Sequence, residues 1–195
     1  MPLGSRSGPG VSDPMADLVA RAQVGDSDAL TQLILQTEQR VYNLAYRILE
    51  NRQEAEDMAQ EIYLKVWRAL PNFRGEAKFT TWLHAIATHA SLNRLRKLKH
   101  EPVVLADTEE HLERLLDRNT DGTGSELEPG DRAYIWQQVR RLPTKYALVL
   151  TLFYQQQLSY EEITQVLGLP LGTVKAQLNR ARLALARSLK ETRTP

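Results

Sequence analysis

Cysteine is absent from the 195 residues, so the chain can form no disulfide, no thiolate nucleophile and no thiolate metal site. No apolar run approaches the roughly 18 residues that a membrane-crossing helix needs, and no signal-peptide core follows the first residue. The expectation is a soluble, cytoplasmic protein without membrane insertion. A phosphate-binding glycine loop and residues spaced as a catalytic triad are missing as well. Four histidines remain as candidate metal ligands. His84 and His89 stand five apart on diverging helical faces with no carboxylate to complete a site, so no metal is expected.

Net charge is also nearly missing: 25 Lys/Arg against 24 Asp/Glu leave +1. That balance conceals a segregation. Between Glu101 and Asp131 ten acids stand against only Arg114 and Arg118, a net of −8, which leaves +9 on the rest of the chain. Two basic bodies joined by an acidic strap suit a polyanionic partner. Residues 100–130 show weak periodicity around Leu112, Leu115 and Leu116, then the turn-forming run NTDGTGSELEPG, and are expected to be a flexible linker. Residues 1–14, MPLGSRSGPGVSDP, offer nothing to bury and read as a disordered tail or an expression scar outside the fold.

What is present is helical. Ser159 with Glu162 three residues later forms a capping box, so a helix is expected from about Tyr160, with Ile163, Val166 and Leu167 on one stripe. Gly168 supplies a left-handed stop and Pro170 opens the next helix. In that second helix Val174, Leu178, Ala181, Leu185 and Leu189 recur at helical spacing, while Ala176, Asn179, Arg180, Leu183 and Arg187 occupy another face with Lys175, Gln177 and Arg182 beside it. From Leu171 to Lys190 there are five Lys/Arg and no acid. A basic, amide-bearing helix placed second in a helix-turn-helix suits the DNA major groove, where cations meet phosphates and amide or guanidinium groups read base edges. Two helices precede it, Arg132–Arg141 before Pro143 and Thr144 to about Gln156.

The N-terminal half carries four more. A short helix covers Asp17–Val24 and a longer one Ser27–Leu49, with Leu30, Leu33, Ile34, Val41, Leu44, Ala45 and Ile48 on one face. Asn51 caps a third, whose stripe comprises Ala55, Met58, Ala59, Ile62, Tyr63, Val66, Trp67 and Leu70 before Pro71 stops it. Its reverse side bears Asp57, Gln60, Glu61 and Lys65. The loop Asn72–Lys78 contains Arg74 and Lys78, and a helix from Phe79 to about Lys99 buries Phe79, Trp82, Leu83, Ile86 and Ala90. On that helix His89, Asn93, Arg96 and Lys97 form one polar, increasingly basic face that fits a nucleic-acid strand. The fold class is therefore all-α: two small helical domains, 15–99 and 131–190, joined by the acidic linker 100–130, with the helix-turn-helix in the second.

Two motif sets in this order resemble the sigma-70 family of bacterial transcription initiation factors, and within it the short extracytoplasmic-function (ECF) group that keeps only regions two and four. AEDMAQEIYLKVWRALPNFRGEAKFTTWLHAIATHASLNRLRK is similar to region two, and RRLPTKYALVLTLFYQQQLSYEEITQVLGLPLGTVKAQLNRAR to region four. The resemblance implies a dissociable subunit that binds the β′ and β subunits of bacterial core RNA polymerase and recognises promoter −35 and −10 elements. It implies that Asp57, Gln60 and Glu61, matching the pattern D-x-x-Q-E, dock on the β′ coiled coil. The loop around Phe73, Arg74 and Lys78 would capture an extruded base of the −10 element, and His89, Asn93, Arg96 and Lys97 would meet the melted strand. Lys175, Ala176, Gln177, Asn179 and Arg180 would face the −35 element, with Thr173 near a phosphate. The chain would be no enzyme and need no cofactor, and an anti-sigma factor is a further implied partner. The paired tryptophans of the primary sigma factors are replaced by Ala85 and Ile86, which implies weaker duplex opening.

A second class remains open on the residues alone: a regulator that dimerises on palindromic operators without touching polymerase. The Asp57-Gln60-Glu61 face discriminates, since a self-sufficient repressor has no need of it.

Overall fold

The computed structural model describes residues 13–99 and 129–191. The N-terminal module is built from α1 (Ala16–Gln23), α2 (Ser27–Leu49), α3 (Arg52–Ala69) and α4 (Phe79–Lys99), and the C-terminal module from α5 (Pro129–Arg140), α6 (Thr144–Leu150), α7 (Tyr160–Leu167) and α8 (Leu171–Glu191). Among the described residues there is no strand, and no helix is long and apolar enough to cross a membrane.

Capping chemistry sets the boundaries. The Asp26 carboxylate accepts from the backbone N–H of Asp28 and Ala29 to start α2, and Asn51 Oδ1 accepts from Glu54 N at 3.1 Å to start α3. Pro71 cannot continue α3, which tightens into a 3₁₀ turn over Leu70–Asn72. The start of α4 is held from a distance: Asp13 Oδ2 accepts from Phe79 N at 2.6 Å. Asp13 belongs to the stretch set aside as a tail; it reaches back to satisfy a helix N-terminus 66 residues away. Residues 1–12 and, of the stretch expected to be the acidic linker, residues 100–128 lie outside the described residues, whereas its last two, Pro129 and Gly130, already belong to α5.

Two expectations about helices change. The helix before the helix-turn-helix is regular only over Thr144–Leu150; Thr151–Gln155 widens into a π turn, with Gln156 N bonded to Thr151 O at 3.0 Å. The last turn thereby re-aims Gln156 into the interior, where it is buried. Trp67, expected on the core stripe of α3, is 59% exposed. At about 100° per residue it falls well outside the sector of Ala55, Met58, Ile62 and Val66, which are the buried positions of α3.

The core of the first module joins Leu33, Val41, Leu44 and Ile48 of α2 to Ile62 and Val66 of α3 and to Phe79, Leu83 and Ala87 of α4. That of the second joins Leu148, Val149, Leu150 and Leu152 to Ile163, Val166, Val174, Leu178 and Ala181. These buried side chains form one contiguous cluster across both modules. The modules meet where α7 lies on α4. Accordingly α4 is covered on nearly its whole circumference, and only the His89 and Asn93 side and its C-terminal end stay open.

Candidate functional site

Three surfaces carry the residues singled out in the sequence. The first is the outer face of α3. Asp57, Gln60 and Glu61 are all exposed there. Gln53 Nε2 donates to Asp57 Oδ1 at 3.1 Å, and Lys65 pairs with Glu61 at 2.8 Å one turn on. The hydrogen bond from Lys65 holds the Glu61 carboxyl below its ordinary range against a small burial cost. Beside this face Arg94 Nε donates to Glu54 Oε2 at 2.6 Å and fastens α4 to α3. The same sector of α3 continues through Leu64, 52% exposed, and Trp67. Leu64 and Trp67 thus form an exposed apolar strip beside the carboxylates. Sequence reasoning assigned Trp67 to the core and passed over Leu64; the signal lies in their spacing of four and seven from Gln60.

The second surface is the loop between α3 and α4 with the open side of α4. Gln23 Nε2 donates to the carbonyls of Leu70 and Phe73 at 3.0 and 2.7 Å, so α1 holds the start of the loop in place. Phe73 is half-buried, its ring 4.8 Å from Trp82 and edge-on to Phe79 at 6.2 Å. Beside them opens a cleft of about 590 Å³ lined by Phe73, Arg74, Glu76, Thr81, Trp82 and Ala85, large enough for a nucleobase. Arg74 is exposed, whereas Lys78 is half-buried and pairs with Glu162 of α7 at 3.0 Å. Further along α4, His89, Asn93, Arg96 and Lys97 are all exposed, and Arg96 Nη1 donates to Asn93 Oδ1 at 2.6 Å. An aromatic platform with an arginine at its rim and a cationic track behind it is what a single strand requires.

The third surface is α8. The capping box stands as expected: Glu162 N donates to Ser159 Oγ at 3.1 Å and Ser159 N donates to Glu162 Oε2 at 2.9 Å. Gly168 sits at φ 67°, the left-handed position that ends α7. Of the α8 candidates, Lys175 is exposed and Thr173, Asn179 and Arg180 are half-buried. Gln177 is 1% exposed and Ala176 8%. Gln177 stands three residues after Val174 and four before Ala181, on the buried stripe itself, and lies well away from Lys175 and Asn179 around the helix. Arg182 is spent locally: its Nε donates to Tyr154 Oη at 2.8 Å and its guanidinium lies 5.4 Å from the Phe153 ring.

No cluster of three or more His, Cys, Asp or Glu able to hold a metal occurs among the described residues. His84 is 2% exposed, far from the situation of a free ligand, and bonds Gln156 Oε1 at 3.0 Å.

The described residues thus present an exposed carboxylate and apolar face on α3, a base-sized aromatic cleft beside α4, and a basic second helix in a helix-turn-helix, the fold of a two-module helical protein. Family models agree: residues 33–101 match Sigma-70 region 2 and residues 132–185 match Sigma-70, region 4. The ECF RNA polymerase sigma factor SigW of Bacillus subtilis is 34% identical over 180 residues, covering 89% of this chain and 95% of that one. The chain belongs to the sigma-70 family, among its ECF RNA polymerase sigma factors, and the self-sufficient dimeric regulator is set aside. Its fold is shared with CnrH in complex with the cytosolic domain of CnrY, at a TM-score of 0.66 and 22% identity over 92% of this chain and 99% of that one. It is shared also with the sigma factor RpoE of Bartonella quintana in complex with the anti-sigma factor NepR, at 0.61 and 20% identity over 82% and 96%.

Proposed function

We propose that this sigma factor docks on bacterial core RNA polymerase through the outer face of α3, traps an unpaired −10 base in the Phe73–Trp82 cleft, and reads the −35 duplex with α8. Asp57, Gln60 and Glu61 supply a polar rim for a partner surface carrying basic groups, and Leu64 and Trp67 supply its apolar centre. Arg74 and Lys78 meet phosphates beside the cleft, while His89, Asn93, Arg96 and Lys97 follow the strand away from it. Lys175, Asn179 and Arg180 make the groove contacts, with Thr173 on a phosphate. Gln177 and Ala176 keep α8 seated rather than reading bases. The cytoplasm is where such a subunit works, and an anti-sigma factor is a partner of the same kind as the one bound to the Bartonella protein.

The observation that carries this reading is the exposed row Asp57, Gln60, Glu61, Leu64 and Trp67 on a helix whose opposite side is fully buried. A solvated helix has no use for the two large apolar groups. The double variant Asp57→Ala with Glu61→Ala is expected to lose core polymerase in a pull-down while keeping its helical content. Unchanged affinity rejects the docking assignment, and failure of core enzyme plus this protein to start RNA chains on any genomic fragment rejects the reading as a whole.

A further inference from the structure

We propose that α1 is a clamp on the base-capture loop: Asp13 and Gln23, at its two ends, are positioning residues that fix both ends of the loop and so shape the cleft for the −10 base. The inference rests on the cleft assignment made above.

Gln23 Nε2 has two N–H groups, and the start of the loop receives both, through Leu70 O at 3.0 Å and Phe73 O at 2.7 Å. Asp13 holds the far end. Its Oδ1 accepts from Met15 N at 2.9 Å, beside the first turn of α1, while its Oδ2 accepts from Phe79 N at 2.6 Å, where α4 begins. The first turn of α4 contains no acid of its own, so this carboxylate supplies negative charge at a positive helix end. Between the two anchors the chain turns through Gly75 at φ 69°. Among the described residues no hydrogen bond reaches Arg74, Gly75, Glu76 or Ala77. The course of the loop is therefore set at its ends.

A clamp positions a loop only if it is itself held. Val19 of α1 is buried, with Leu18 and Ala22 packed on the core beside it. Arg21 pairs with Asp26 at 2.8 Å, and the same Asp26 carboxylate caps α2, which fixes the angle between α1 and α2. The frame of the N-terminal module thus runs through α1 into the loop.

The simpler account is that Gln23 and Asp13 only satisfy orphan groups at the end of α3 and the start of α4. Gln23 is half-buried, and water could serve the same carbonyls without the side-chain entropy lost by fixing a glutamine. Both anchors, moreover, come from one short helix 47 to 66 residues away in sequence and land on the two ends of a single loop. That loop carries Phe73, whose ring packs on Trp82, and Arg74 at the cleft rim.

The test uses holoenzyme assembled from core polymerase and the full chain, on a promoter from which it starts RNA chains. The DNA has a duplex −35 element and a single-stranded −10 element, with either the natural base or an abasic nucleotide at the extruded position. If the untied loop holds its competent shape about a tenth of the time, Gln23→Ala and Asp13→Ala should each weaken binding about tenfold on the natural base and less than about twofold on abasic DNA. Gln23→Glu keeps the shape of the side chain but has no N–H to give, and it should behave as the alanine variant does. Asp13→Asn keeps one acceptor oxygen and should fall between Asp13→Ala and the parent. Equal losses on both DNAs, as a purely structural role or a misfolded variant gives, overturn the clamp, and so does a Gln23→Glu variant that binds like the parent. A parent that binds both DNAs alike removes the cleft assignment itself. A parent that tells them apart, beside clamp variants that do so equally well, removes the clamp alone.

Discussion

Replacing Trp67 by alanine tests the corrected face of α3 most directly. A tryptophan presents about 150–250 Å² when fully covered, and 59% of this one is open, so roughly 90–150 Å² is free to be buried by a partner. At about 25 cal/mol per Å² that is about 2–4 kcal/mol, the range of an interface hot spot, or roughly 30- to 700-fold in affinity. The remaining covered fraction belongs to the fold, so Trp67→Ala also lowers stability somewhat, and Trp67→Phe serves as the intermediate variant. Titrating labelled core polymerase with the wild type and both variants should give affinities in the order Trp, Phe, Ala, with thermal melts showing all three folded at the assay temperature. An alanine variant that binds within about threefold of wild type, a loss below about 1 kcal/mol, would refute the apolar-centre argument and return Trp67 to the ordinary solvated surface.

Two further outcomes are expected. Burial in the seam lowers the His84 pKa; the bond to Gln156 and the nearby Glu162 carboxylate partly offset this, and Arg40 adds to it. The unfolded chain therefore binds a proton that the folded form refuses, and stability falls as pH drops below the ordinary imidazole value near about 6.5; denaturant midpoints across that range should show the loss, and His84→Gln should flatten it. On α8, Arg180→Ala should cost about 1–3 kcal/mol on a matched −35 duplex and little on a scrambled one if it reads a base, whereas Gln177→Ala should lower the melting temperature and leave the ratio between the two duplexes unchanged.

Local signals wrote most of the helical plan. Asn51, Pro71, Ser159 with Glu162, and Gly168 each satisfy or remove backbone groups within a few residues of themselves, so their effect is readable from spacing, and α3 and α7 begin and end where that chemistry says. The loop Asn72–Lys78 and the carboxylate row on α3 were visible in the sequence as well, but the roles proposed for them came from the family resemblance. Side-chain exposure was less so. Trp67 and Gln177 are each a residue type that misleads, an aromatic that stays out and an amide that goes in, and at both positions angular placement on the helix overrules hydropathy. The capping of α4 by Asp13 escapes any local reading because its partner lies 66 residues away, and the π turn at Thr151–Gln155 leads to Gln156, whose bond is to His84 of α4.

The family and the plan of two helical regions followed from the sequence, since helix periodicity and motif spacing depend only on near neighbours. Which faces are free did not. That Lys78 is held by Glu162, that His84 and Gln156 meet in the interior, and that α4 is covered by both modules are consequences of residues 72 to 84 positions apart coming into contact. Such contacts are set by how two finished surfaces fit together, and no window along the chain contains both.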